Sequence, residues 1–180
     1  MGVWRGVKRL IGMGEAMTQI AAGTKAPGFS LKDAEGKAYS LEALLQKGPV
    51  VAAFFKVSCP VCQFTFPFVE RLHKRYAGEG VTVLGISQDG AEPTKDFAKS
   101  YRVTFPLALD EKGYPASNAY GLSMVPTIFL IEPDATVKVS SMGFVKKDLE
   151  TIARELAERR KMQAAPLFQM NESVPANKPG

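Results

Sequence analysis

Cysteine and histidine are nearly absent: the 180 residues hold two cysteines and one histidine. Both cysteines, Cys59 and Cys62, fall in one four-residue motif, so no spaced set exists to staple a small secreted fold. The pair is therefore chemistry or metal. A zinc site on this spacing needs four protein ligands, and the chain adds only His73 to the two thiols. Holding Cu(I) between the thiolates stays open as an alternative, although no third soft ligand stands at suitable spacing. His73 itself reads as a solvated helix residue. Long apolar runs are missing too. No stretch approaches the roughly 18 consecutive apolar residues that span a bilayer. The start of the chain, Val7 to Glu15, is broken by Lys8, Arg9 and two glycines and so does not read as an export leader. The expectation is a cytoplasmic protein without a membrane span. Surplus charge is also scarce outside the N-terminal arm. The formal net charge is +5, but Arg5, Lys8, Arg9 and Lys25 stand against Glu15 alone in the first 25 residues. Little remains for a phosphate backbone, and nucleic acid is not an expected partner.

What is present suits one well-buried core, with 46% hydrophobic residues in a chain of this length. We read residues 1–23 as a basic arm, 24–162 as a single α/β domain, and 163–180 as a largely disordered tail. The tail carries Pro166, Pro175 and Pro179 with few spaced apolar residues. Ala26 to Leu41 reads as a hairpin around Gly36, with Ser40 capping a brief helix to Gln46. The continuous apolar run Val50-Val-Ala-Ala-Phe-Phe55 is a strand covered on both faces. From Pro60 to Tyr76, Val61, Phe64, Phe68, Val69, Leu72 and Tyr76 recur at helical spacing. A strand over Val81–Ile86, a helix over Pro93–Tyr101, a short strand at Leu107–Leu109 and a helical turn at Ala116–Tyr120 follow. Strands at Thr127–Ile131 and Val137–Ser140 then form a hairpin, and a helix from Lys146 to about Met162 closes the domain. The alternation of strand and helix implies right-handed crossovers.

Two thiols separated by two residues at a helix start can close a disulfide within one turn. The first lies where unpaired backbone N–H groups and the helix dipole favour its thiolate. Pro60 suits the first helical position, which puts Cys59 at the N-cap as nucleophile. Cys62, one turn inside, is the resolving thiol.

These residues, with Gly85-Ile-Ser-Gln-Asp89, Phe105-Pro-Leu-Ala-Leu-Asp110 and Ala119-Tyr-Gly-Leu-Ser-Met-Val-Pro-Thr-Ile-Phe-Leu-Ile131, resemble the TlpA-like thioredoxins of the redoxin (AhpC/TSA) superfamily over about residues 24–160. The resemblance implies a thioredoxin-like three-layer sandwich. Its features are a central mixed sheet with flanking helices, an N-terminal hairpin and an inserted helix-strand element. It also implies dithiol-disulfide exchange with protein disulfides, an upstream thiol reductant, and no cofactor beyond the redox-active disulfide. It further implies a cis Pro126 that leaves the Val125 backbone free to bond a substrate strand; Ser58 and Pro60 complete the expected substrate-binding surface. A reducing role and a monomer are expected. The chain departs from the family in two places. Ser58 stands where many relatives have tryptophan, and Ala53 where thioredoxin has a buried acid. Glu70 and Lys56 are the nearest charged alternatives. Aligned with peroxiredoxins, Cys62 falls at the peroxide-reactive position, with Cys59 replacing the usual threonine and Phe55 the usual proline. Peroxide reduction is thus a disfavoured alternative.

Overall fold

The computed structural model describes residues 18–76 and 80–180. Most of the basic arm, including Trp4, lies outside the described residues. Residues 18–23, the described part of that arm, do not stand apart from the domain. The Ile20 N–H donates to the Tyr120 carbonyl, and the Gly23 N–H to that of Val137.

The core strand is β3 (Val50–Phe55), every residue of which is buried. It sits between β4 (Thr82–Ser87), which it pairs in parallel, and β6 (Thr127–Ile131), which it pairs antiparallel. An apolar run with two covered faces is what such a position demands. Val51, Ala53 and Phe55 join a cluster with residues of α2 (Pro60–Tyr76), α3 (Ala91–Tyr101) and α5 (Lys146–Arg159). Val50, Ala52 and Phe54 face the other way, onto α1 (Leu41–Leu45) and α4 (Pro115–Ala119). The alternating side-chain direction of a strand thus divides the core into two halves and makes the three layers. The full sheet adds β1 (Ser30–Asp33), β2 (Ala38–Ser40), β5 (Leu107–Leu109) and β7 (Val137–Met142), in the order β2-β1-β5-β4-β3-β6-β7. The hairpin β1–β2 joins the sheet edge through antiparallel β1–β5 pairing.

Helix α2 runs unbroken through Pro67. Val61 and Phe64, read as inward, are half-buried, whereas Phe66, off the expected stripe, is fully buried with its ring 4.4 Å from that of Phe55. His73 is half-buried rather than fully solvated: its ring meets Phe105 edge-on at 5.7 Å, and its Nδ1 is shielded.

The largest departure is the tail. Residues 163–180 were expected to be disordered, yet Leu167 and Phe168 are buried in the core cluster under α2. The Phe168 ring lies 4.9 Å from Phe68. Arg71, off the apolar face of α2, grips this segment through the Leu167 carbonyl at 3.0 Å and pairs with Glu172 through both terminal guanidinium nitrogens. Arg75 donates to the Ala165 carbonyl at 2.8 Å. Composition failed here because two adjacent apolar side chains and a pair of arginines suffice to dock a segment otherwise poor in both. Near its end the tail forms β9 (Asn177–Lys178), antiparallel to β8 (Phe144–Val145).

Candidate active site

At the carboxyl end of β3 the chain turns through Lys56, Val57 and Ser58 before α2 begins at Pro60. The Cys59 N–H closes this turn on the Lys56 carbonyl at 3.1 Å. Cys59 therefore takes the N-cap place expected for it, with Pro60 at the first helical residue, where a missing N–H costs nothing. The Cys62 N–H donates to Cys59 Sγ at 3.2 Å, one of the orphan amides of a helix start turned onto the sulfur. Both thiols are free; Cys59 is half-buried and Cys62 has no exposed surface. Burial pushes the Cys62 thiol far above its ordinary pKa, and the neighbouring Cys59 adds to the effect. One sulfur is thus reachable and faces an amide donor, while the other is enclosed and held protonated.

The second wall is the loop before β6. The Val125–Pro126 peptide bond is cis. Val125 is half-buried, and its carbonyl accepts from the Cys59 thiol across 3.4 Å. Ser58 and Pro60 are exposed on either side of Cys59, so both flank the reachable sulfur. A hollow of about 340 Å³, lined in part by Gln88, Ser117, Met124 and Val125, opens beside this loop.

Two supporting residues escaped the sequence reading. The Asp89 carboxylate accepts from the Val57 N–H at 2.7 Å, and Gln63 Nε2 donates to the Val57 carbonyl at 2.9 Å. Together they clamp the turn that carries Cys59. Asp89 also bears on Cys62, its negative charge being the smallest of the effects that push that thiol up. Its signal was its place at the end of β4, beside the carboxyl end of β3, where sites of open α/β sheets collect. Neither charged alternative nominated from the sequence takes the place of the missing acid. Glu70 is buried but binds the backbone N–H and hydroxyl of Thr104, and Lys56 is exposed. Among the described residues no group of three or more His, Cys, Asp or Glu side chains converges as a metal site, and no helix is long and apolar enough to cross a membrane.

The likenesses of the chain agree with this geometry. The model of the AhpC/TSA family matches residues 22–140. The thiol-disulfide oxidoreductase ResA of Bacillus cereus is 34% identical over 131 residues, which cover 72% of this chain and 75% of that protein. Among solved structures, a thiol:disulfide interchange protein of the thioredoxin family from Chlorobium tepidum superposes with a TM-score of 0.63 at 27% identity, covering 76% of this chain and 98% of its own. The peroxidoxin BcpB of Mycobacterium tuberculosis superposes with a TM-score of 0.64 at 25% identity, covering 81% of this chain and 99% of its own. With the thioredoxin architecture, the matched family and these relatives in agreement, the chain belongs to the AhpC/TSA family and is a thiol-disulfide oxidoreductase of the thioredoxin type.

Proposed function

We propose that Cys59 is the attacking thiolate and Cys62 the resolving thiol in the reduction of protein disulfides. The observation that carries this division is the contrast between the two sulfurs: Cys59 is partly exposed and accepts the Cys62 N–H at 3.2 Å, while Cys62 is enclosed. Cys59 Sγ attacks one sulfur of the substrate disulfide, forming a mixed disulfide and expelling the other substrate sulfur, which takes up a proton. Cys62 then loses its proton and attacks Cys59 Sγ, releasing the second substrate thiol and leaving a Cys59–Cys62 disulfide. Two electrons pass to the substrate, and an upstream thiol reductant restores the dithiol. Ser58, Pro60 and Val125 form the surface against which the substrate lies, and Pro126, itself buried, shapes it through the cis bond that presents the Val125 backbone. No cofactor beyond the cysteine pair takes part. The reading includes a monomer in a reducing compartment such as the cytoplasm, which sedimentation and cell fractionation test directly.

In the experiment that tests the roles, Cys62→Ser accumulates mixed disulfides with an oxidised protein substrate while Cys59→Ser forms none, as read by intact mass. Identical behaviour of the two variants would refute the assignment. Peroxide reduction is a second reading, supported by the family and by the likeness to BcpB. It requires a reactive thiolate at Cys62, which burial opposes. Treatment with stoichiometric peroxide is expected to leave Cys62 without added oxygen; a sulfenic acid there as first product would favour the peroxidase.

A further inference from the structure

Two parts of the chain approach the carbonyl of Val125. One is Cys59, whose thiol donates to it. The other is the far end of the tail. A Cβ built on Gly180 would lie 2.2 Å from the Val125 oxygen, so only the bare glycine backbone fits at this approach. The preceding residues follow the same face. The Lys146 N–H donates to the Ala176 carbonyl at 2.9 Å, Asn177 and Lys178 pair antiparallel with Val145 and Phe144, and the Lys178 ammonium sits 5.0 Å over the Phe64 ring on the cysteine-bearing helix. Gly143, at φ +72°, permits this course, since a Cβ there would reach the Lys178 carbonyl at 2.5 Å. An extended piece of this chain therefore runs along β8 and ends with Gly180 against the Val125 backbone, where a substrate strand would add beside Cys59.

The segment is held unevenly. Leu167 and Phe168 are buried and Glu172 is paired with Arg71, but Pro175 to Asn177, Pro179 and Gly180 are exposed. A firm anchor thus carries a lightly held strap, and the strap can lift while the anchor stays, as local opening of weakly packed segments allows.

We propose that residues 177–180 are a tethered competitor for the substrate-docking face at Val125, so that an extended protein disulfide reaches Cys59 by displacing them. The inference rests on the exchange reading of that site. The partner class it selects is a disulfide carried on a flexible or locally unfolded segment able to add as a strand; a small disulfide that needs no strand pairing escapes the competition. A tether holds its strap at an effective concentration in the millimolar range. A strap docked about nine-tenths of the time lowers the apparent affinity of a competing strand about tenfold.

The test compares three chains, each carrying Cys62→Ser so that the mixed disulfide persists: the full chain, a chain stopped after Ala176, and the full chain with Gly180→Ala. The stopped chain keeps Leu167, Phe168 and Glu172, and its thermal midpoint verifies that the fold is intact. Each is reacted with an oxidised, unstructured cysteine peptide and with a small aromatic disulfide, and the second-order rate of mixed-disulfide formation is measured. The stopped chain is expected to react about tenfold faster with the peptide and within about twofold of the full chain with the small disulfide. Gly180→Ala, which forces the strap off the Val125 carbonyl, is expected to give a smaller acceleration of the same kind. The synthetic peptide Ser-Val-Pro-Ala-Asn-Lys-Pro-Gly at millimolar concentration should slow the stopped chain again. Peptide rates equal in the stopped and full chains would overturn the proposal, as would equal acceleration with both disulfides. If no chain formed a mixed disulfide with either reagent, the exchange reading itself would fall, and the competitor with it.

Discussion

Replacing Phe168 with alanine tests whether residues 163–180 are part of the folded domain. Phe168 is 7% exposed, its ring lies 4.9 Å from Phe68 and 6.1 Å from Phe144, and the Lys146 ammonium stands 5.2 Å from its centroid. Truncating a buried phenylalanine costs about 3–5 kcal/mol in a well-packed core. Here the loss is capped by the docking free energy of the segment itself, because a weakened segment can leave without unfolding the sheet, so the expected cost is at the low end, about 3 kcal/mol. With a urea dependence of about 2 kcal/mol/M, the midpoint should fall by about 1.5 M. For a chain of this size the thermal midpoint should fall by about 6–12 °C. The assays are equilibrium urea unfolding and limited proteolysis of the exposed stretch 163–166, whose cleavage should lead to loss of the tail faster in the variant. An unchanged midpoint, with the parent tail already cleaved as fast as a free peptide, would refute the docked segment and with it the strap.

Three further outcomes follow from individual contacts. Asp89→Ala removes the acceptor of the Val57 N–H and should destabilise the Cys59 turn by about 1–2 kcal/mol, whereas Asp89→Asn keeps an acceptor but not the charge. Because burial, then Cys59, and last Asp89 push the Cys62 thiol up, Asp89→Asn should let Cys62 be alkylated at somewhat lower pH than in the parent; an unshifted profile would separate Asp89 from Cys62. Hydrogen bonding to Arg71, and then to the Gln169 amide, holds the Glu172 carboxyl down at about 2. Its folded value lies below the ordinary value of about 4.3, so its contribution is complete above that pH and fades as pH falls through about 2. Hydrogen exchange of 163–180 should thus be pH-independent, after correction for intrinsic rates, near neutrality and rise in acid. Glu172→Gln should abolish that acid response. Finally, the buried Tyr120 hydroxyl finds no partner among the described residues. Tyr120→Phe should therefore be neutral or stabilising by about 1 kcal/mol in denaturant unfolding, and a marked loss would reveal an unseen partner.

The site's chemistry was legible because it is local. Cys59, Pro60 and Cys62 lie within four residues at a strand-to-helix junction, and helix geometry alone places the two sulfurs in one turn. The sheet's centre was legible for a similar reason: a run such as Val50 to Phe55 is stable only when both faces are covered, so its neighbours are implied by its own composition. Boundaries at element ends moved by a few residues, as with α5, expected to reach Met162 and ending at Arg159. Phe66 was missed because the apolar stripe of α2 is wider than the spacing of its other members suggested.

Other features were settled only by the meeting of distant segments. Asp89 reaches Val57 because β4 lies beside β3, and nothing in the immediate sequence of either residue announces the bond. Leu167 and Phe168 are ordered because α2 and Phe144 of β8 offer them an apolar seat, and Arg71 and Arg75 offer donors to the carbonyls of Leu167 and Ala165. Taken alone, the tail has too little apolar surface to offset the entropy of ordering it. The approach of Gly180 to Val125 depends on both of these and on the bend at Gly143. The sequence by itself determined the paired thiols, the helix that turns an amide onto one of them, and the strand that carries them, since each depends on residues near in the chain. The clamp on the turn and the segment lying across the docking face were decided by tertiary structure, because their energies come from contacts between residues far apart in the chain.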